Sequence, residues 1–268
     1  MKITDRKAAG KSALAGVAGA VICFLAVLDL LFPFSICRAE EGGALGQIAK
    51  ANAYYQEKRY SEAARIYSDL EAKGHENGYL YYNLGNAYFR LGKIGPAILS
   101  YLKAKSLIPR DKDLEANLKT AIQETNDRLE EKPLGFMKTI LFWLDDFNRA
   151  ETVQILIVSN FLFWLAMAGR LFFKHAFWDV ARKTFLIGLC LAVISTAGKF
   201  FVESGPGLGV VFAKTADVKS SPAGDSVALF QLHEGAPVAI AGEKDGWYRI
   251  ELSEDKKGWM QKEFIGTR

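Results

Sequence analysis

At 268 residues with a net charge of +4, the chain is long enough for one or two ordinary domains. It is too weakly basic for a nucleic-acid footprint, which needs a clustered cationic face. Cys23, Cys37 and Cys190 fall in apolar or targeting stretches, so the polar segments hold neither a disulfide nor a thiolate metal site. The composition changes twice along the chain. Residues 40–135 are polar and rich in Lys, Glu, Tyr and Ala, 153–202 are largely apolar, and 207–268 are rich in Gly, Val and charge. Separate modules are expected.

Lys2, Arg6, Lys7 and Lys11 open the chain, followed by an apolar run from Ala13 to Phe34 and by Ser35-Ile36-Cys37-Arg38-Ala39. Charge, apolar stretch and small residues before Glu40 read as a secretory signal peptide over 1–39. An uncleaved N-terminal anchor is the other reading, because the run is long. Either one carries the next segment across a membrane.

A repeat follows at a spacing of 34 residues. Ala51-Asn52-Ala53-Tyr54-Tyr55 recurs as Gly85-Asn86-Ala87-Tyr88-Phe89, and Ala63 and Tyr67 recur as Ala97 and Tyr101. With Leu84, Ala104 and Pro109, this pattern resembles the tetratricopeptide repeat (TPR), in which small residues let two antiparallel helices approach. Leu114, Leu118, Ala121, Ile122 and Leu129 share one helical face, which predicts a capping helix over 111–131 and a repeat domain over 40–132. TPR arrays bind peptides or partner proteins on the concave face of their first helices. The resemblance turns Asn52, Tyr55, Gln56, Tyr82, Asn86, Phe89 and Arg90 towards that groove. Asn amides there can hold an extended peptide backbone. Tyr55 and Tyr82 have a second reading, as packing between neighbouring repeats. Asn52 and Asn83 match the amides of the family's carboxylate clamp. Ile48, Asp113 and Asn117 stand where its basic side chains would be, so an acidic tail is not favoured.

Residues 136–150, with Lys138 and Trp143, read as an interfacial helix. Two apolar runs then predict transmembrane helices over 152–173 and 184–203. The connecting loop, 174–183, has Lys174, Arg182 and Lys183 against Asp179 and is placed in the cytoplasm by the positive-inside rule. Asp145, Asp146 and Glu151 precede the first run, as suits the outer side. The signal segment and the loop charges agree on one topology, with the domains either side of the hairpin in the periplasm.

A linker over 204–209 leads to 210–268, where short strand-like stretches alternate with turns, as in a small all-β barrel. Ala216-Asp217-Val218-Lys219, Gly246-Trp247-Tyr248-Arg249 and Lys257-Gly258-Trp259-Met260 resemble a bacterial SH3 domain. Trp259 is expected in its core. Trp247 and Tyr248 alternate, so one packs inward while the other faces a binding groove. The resemblance implies peptide or cell-wall recognition.

The fold class read from the sequence is thus multidomain: an α-helical TPR domain, a two-helix transmembrane hairpin and an SH3-like barrel. That order of modules resembles the BatE-type proteins of the Bacteroides aerotolerance (Bat) operon. The resemblance implies a bacterial cytoplasmic-membrane location and partnership with Bat proteins carrying von Willebrand factor A domains. It supplies no mechanism. The expected function is a scaffold or adaptor, with attachment to peptidoglycan peptides as the alternative. No phosphate-binding Gly loop, nucleophile elbow or metal-spaced His/Cys set occurs, so neither enzyme activity nor a cofactor is expected. The partners expected are other envelope proteins and the lipid bilayer.

Overall fold

The computed structural model describes residues 38–127, 142–173, 175–204, 207–253 and 255–268. The expected signal segment up to residue 37, and the expected interfacial helix from 136 to 141, lie outside them. Five helices build the first described unit: α1 (Arg38–Gln56), α2 (Tyr60–Ala72), α3 (Gly78–Arg90), α4 (Ile94–Leu107) and α5 (Lys112–Gln123).

The repeat extends to the details that start and stop these helices. Asn77 caps α3 by accepting from the backbone N–H groups of Tyr79 and Leu80. Asp111, at the same place one repeat later, caps α5 through the N–H of Leu114. The turn between paired helices needs a left-handed residue, filled by Lys58 (φ 62°) in the first copy and Gly92 (φ 70°) in the second. Between the helices, Tyr67 and Tyr101 are fully buried against Ala51, Ala63, Leu84 and Ala97. Gly85 has no room for a side chain, since a Cβ would lie 2.5 Å from Cδ1 of Tyr101. The helix expected to reach residue 131 ends at Gln123. Thr125 folds back to donate its hydroxyl to the Ile122 carbonyl, 2.7 Å away, and residues 124–126 form a turn and bends.

A 3₁₀ turn, Phe142–Asp145, precedes the hairpin of α6 (Arg149–Phe172) and α7 (Ala176–Glu203). Asn148 and Glu151 form a reciprocal capping box, so the chain breaks before α6 and does not continue a helix through 150. Helix α7 begins at Ala176, so most of the expected 174–183 loop is helical. Asp179 in its first turn pairs with Arg170 across the bend at 2.7 Å. The two helices meet along small buried residues, Ala166 and Gly169 on one and Ala192, Thr196 and Gly198 on the other. Their large apolar side chains point away from the seam. Val158, Trp164, Ile187 and Ile194 are among the exposed ones.

The last unit is a seven-stranded antiparallel sheet: β1 (Gly207–Val211), β2 (Thr215–Lys219), β3 (Ala228–His233), β4 (Pro237–Lys244), β5 (Trp247–Glu251), β6 (Lys257–Gln261) and β7 (Ile265–Thr267). Its order is β3-β2-β6-β5-β4-β1-β7. Half of the expected linker is therefore strand. A single core of Val211, Val218, Leu232, Val238, Ile250, Met260 and Ile265 draws on every strand, which requires the sheet to curl round on itself. Asp245 (φ 47°) and Gly246 (φ 81°) make the two-residue turn of the β4–β5 hairpin. Met260 and Gly258 face inward on β6. Trp259 consequently falls on the other face and is only half-buried, which corrects its expected place in the core.

Candidate partner-binding surfaces

Helices α1, α3 and α5 are the first helices of successive pairs and lie side by side. Their shared face carries a periodic ladder. Asn52 Oδ1 accepts from the Tyr67 hydroxyl and, at 3.2 Å, from Asn83 Nδ2. One repeat later, Asn86 Oδ1 accepts from the Tyr101 hydroxyl at 2.8 Å and from Asn117 Nδ2 at 2.9 Å. Each Asn thus ties the second helix of its own repeat to the first helix of the next. Burial pushes the Tyr67 hydroxyl up to about 12 and raises that of Tyr101 further, so both remain proton donors.

This arrangement divides the expected groove residues. Asn52 and Asn86 spend their carbonyl oxygens inside the ladder and keep their own amide N–H groups for the open face. Tyr82 is half-buried, its ring centroid 6.2 Å from that of Tyr101 and its hydroxyl accepting from Asn117 at 3.0 Å. Tyr55 packs edge-on against Tyr60 at 5.1 Å. Phe89 is half-buried against the helical core. Gln56 and Arg90 are exposed, and the Tyr55 hydroxyl bonded to the Arg90 guanidinium raises its pKa above the ordinary arginine value. Leu45 and Tyr79 escaped the sequence reading. They are 65% and 60% exposed and sit two turns before Asn52 and Asn86 on the same helical faces. Their separation of 34 residues was the available signal. The open face therefore offers apolar contacts at one end, amide donors in the middle and a guanidinium at the other.

On the β domain, Tyr248 faces inward, half-buried against the core, with the Lys262 ammonium 5.1 Å from its ring centre. Trp247 lies on the outer face of β5 and is nonetheless 8% exposed, with the Lys219 ammonium 5.7 Å from its ring centre. Arg249 is paired with Trp259, and Trp259 with Lys219, across the same outer face. On this outer face Arg249 is exposed and Trp259 is half-buried, as Tyr248 is on the inner one.

A family model described as the tetratricopeptide repeat matches residues 79–111, and one described as the bacterial SH3 domain matches residues 214–266. The chain carries both modules. Comparison with curated proteins finds no match to the chain. Each module is a binding fold, and the TPR and SH3 units are not separate beads. Asp127 accepts from the His233 backbone N–H at 2.6 Å and meets its ring Nδ1 at 3.0 Å. Glu234 accepts from the Gly95 N–H at the start of α4, at 3.0 Å. The SH3 domain thus docks on a second helix of the TPR pair, away from the face that carries the ladder.

Proposed function

We propose that this chain is a membrane-anchored adaptor that binds partner proteins of a bacterial envelope through its TPR face and its SH3 domain. The observation that carries the anchor is the exposure of the hairpin. Only 11% of the most apolar stretch of either α6 or α7 is buried, whereas a core helix of a water-soluble domain hides most of its apolar surface. Lipid is the solvent that such a surface fits. The basic bend of the hairpin supports a cytoplasmic turn, with the TPR and SH3 domains in the periplasm. The module order, similar to BatE-type proteins, makes Bat proteins with von Willebrand factor A domains the first partners to test.

The test is a crosslinking pull-down from membranes with the wild type and with Gln56→Ala/Arg90→Ala. These two side chains reach the open face without belonging to the ladder. The double variant should keep its thermal stability and lose partner recovery about tenfold, the scale of one or two hydrogen bonds to a charged or oriented group. Unchanged recovery removes the TPR face from the proposal. The outward Trp259 and Arg249 favour a second reading, in which the SH3 domain attaches to wall peptides. Co-sedimentation with purified peptidoglycan that is lost in Trp259→Ala would select it.

A further inference from the structure

A cleft of about 730 Å³ lies where the TPR domain, the charged end of the hairpin and the C-terminal strand meet. Charged and apolar side chains both line it. Lys103 and Glu203 line it already paired, the first with Glu71 at 2.7 Å and the second with Lys199 at 4.0 Å. Arg149, Arg268 and Glu76 line it with no ion-pair partner among the described residues. Arg149 is held in place instead by the Phe200 ring, 4.0 Å from its guanidinium carbon.

The apolar wall is Val153 and Ile157, one turn apart on α6. The same helical stripe continues through Phe161 and Trp164, which are 49% and 48% exposed. A ligand seated here would place charged groups among Arg149, Arg268 and Glu76 and lay a hydrocarbon chain down α6. Two unpaired cations and one unpaired carboxylate do not suit a purely anionic head group, which would face Glu76. A trimethylated ammonium would offer that carboxylate no N–H. A phosphate joined to a primary ammonium satisfies both signs.

We propose that this cleft is a binding site for a phospholipid of the phosphoethanolamine type, its phosphate on Arg149 and Arg268 and its ammonium on Glu76. The assignment rests on the hairpin lying in a bilayer. It makes one lipid molecule part of the junction between the TPR domain and the anchor.

The full chain is reconstituted in phosphatidylcholine nanodiscs containing equal minor fractions of phosphatidylethanolamine and phosphatidylglycerol. Lipid retained after detergent extraction is then read by native mass spectrometry. Phosphatidylethanolamine should be enriched about tenfold over either competitor, the scale of one charge-assisted hydrogen bond gained or lost. Arg149→Gln should abolish the enrichment, and Glu76→Gln should abolish the preference over phosphatidylcholine. Equal or greater retention of phosphatidylglycerol, or enrichment unchanged in both variants, overturns the site. A chain that carbonate washes off vesicles overturns the anchor as well, whereas an anchored chain with no lipid preference overturns the site alone.

Discussion

Val210 and Val211 are neighbours on β1, and each is fully buried in a different core. Val210 belongs to the cluster of the TPR helices and Val211 to that of the SH3 domain. The alternation of a β-strand sends successive side chains to opposite faces, so one strand serves as the shared wall of two domains. Gly95 of α4 allows the approach, for a Cβ there would lie 2.5 Å from the Val211 carbonyl oxygen.

Val210→Ala should therefore loosen the junction while leaving the SH3 core whole. Removing two methyl groups from a packed site costs about 2 kcal/mol. Hydrogen exchange should quicken at 94–98 and 232–236, around the Gly95–Glu234 and Asp127–His233 contacts. Val211→Ala should instead speed exchange through the strands of the SH3 domain. Identical exchange maps for the two variants would contradict the division of cores.

The Asn–Tyr ladder predicts coupled losses. Tyr67→Phe removes one end of the Tyr67–Asn52 bond and should cost about 0.5–1.5 kcal/mol, and Asn52→Ala, which also loses the bond from Asn83, should cost more. The double variant should cost less than the sum of the two, a coupling that a double-mutant cycle measures. Alkaline titration gives an independent check. The Tyr67 hydroxyl, pushed up to about 12 by burial, is still protonated in the folded state when an unfolded tyrosine ionises near 10. Its contribution is fully present below about pH 10 and is lost as pH rises towards about 12. Tyr67→Phe should flatten the stability decline in that window without abolishing it, because Tyr101 titrates in the same direction.

The repeat was legible in the sequence because Gly85, Ala97 and Tyr101 answer packing demands that recur every 34 residues. The apolar hairpin was legible from the absence of charge between Val153 and Gly169. The ladder was not, since an Asn on a helix face can point a hydrogen bond outward or sideways and only the neighbouring helix decides. Asn83 and Asn117 stand one repeat apart, a sign that both do the same work. The β6 inversion was hidden for a similar reason. Trp259 is the larger apolar side chain, yet strand alternation puts Met260 in the core once Gly258 must lie against Val218, where a Cβ would meet Cγ1 at 2.5 Å. The docking of the SH3 domain on α4 depends on long-range contacts such as Gly95–Glu234, which local pattern does not encode.

The two copies of the helical turn predict opposite responses to matched substitutions. Lys58 holds a left-handed φ of 62°, whereas Gly92 holds 70° at the same place. A side chain in that region costs about 1 kcal/mol or more. Lys58→Gly relieves this, although glycine also loosens the unfolded chain. Thermal melts should show Lys58→Gly neutral to about 1 kcal/mol stabilising and Gly92→Ala destabilising by about 1 kcal/mol. Destabilisation of similar size by both would mean that Lys58 contributes a contact outweighing its backbone strain.

The last prediction separates a membrane hairpin from a hairpin in water. Leu191 stands near the middle of the uncharged part of α7 and is 52% exposed. In water, replacing an exposed apolar residue by Asp changes stability by no more than about 0.5 kcal/mol. In the centre of a bilayer the same carboxylate costs about 2.5–3.5 kcal/mol on the insertion scale. Leu191 points away from the small-residue seam of Ala192 and Thr196, so the substitution leaves helix pairing intact. Leu191→Asp should therefore sharply reduce the carbonate-resistant membrane fraction. A control at Val180, also exposed but beside the charged bend with Asp179 and Arg182, should tolerate Asp. If both variants fractionate with membranes as well as the wild type does, the exposed face of α7 is not in contact with lipid, and the hairpin must be covered by protein instead.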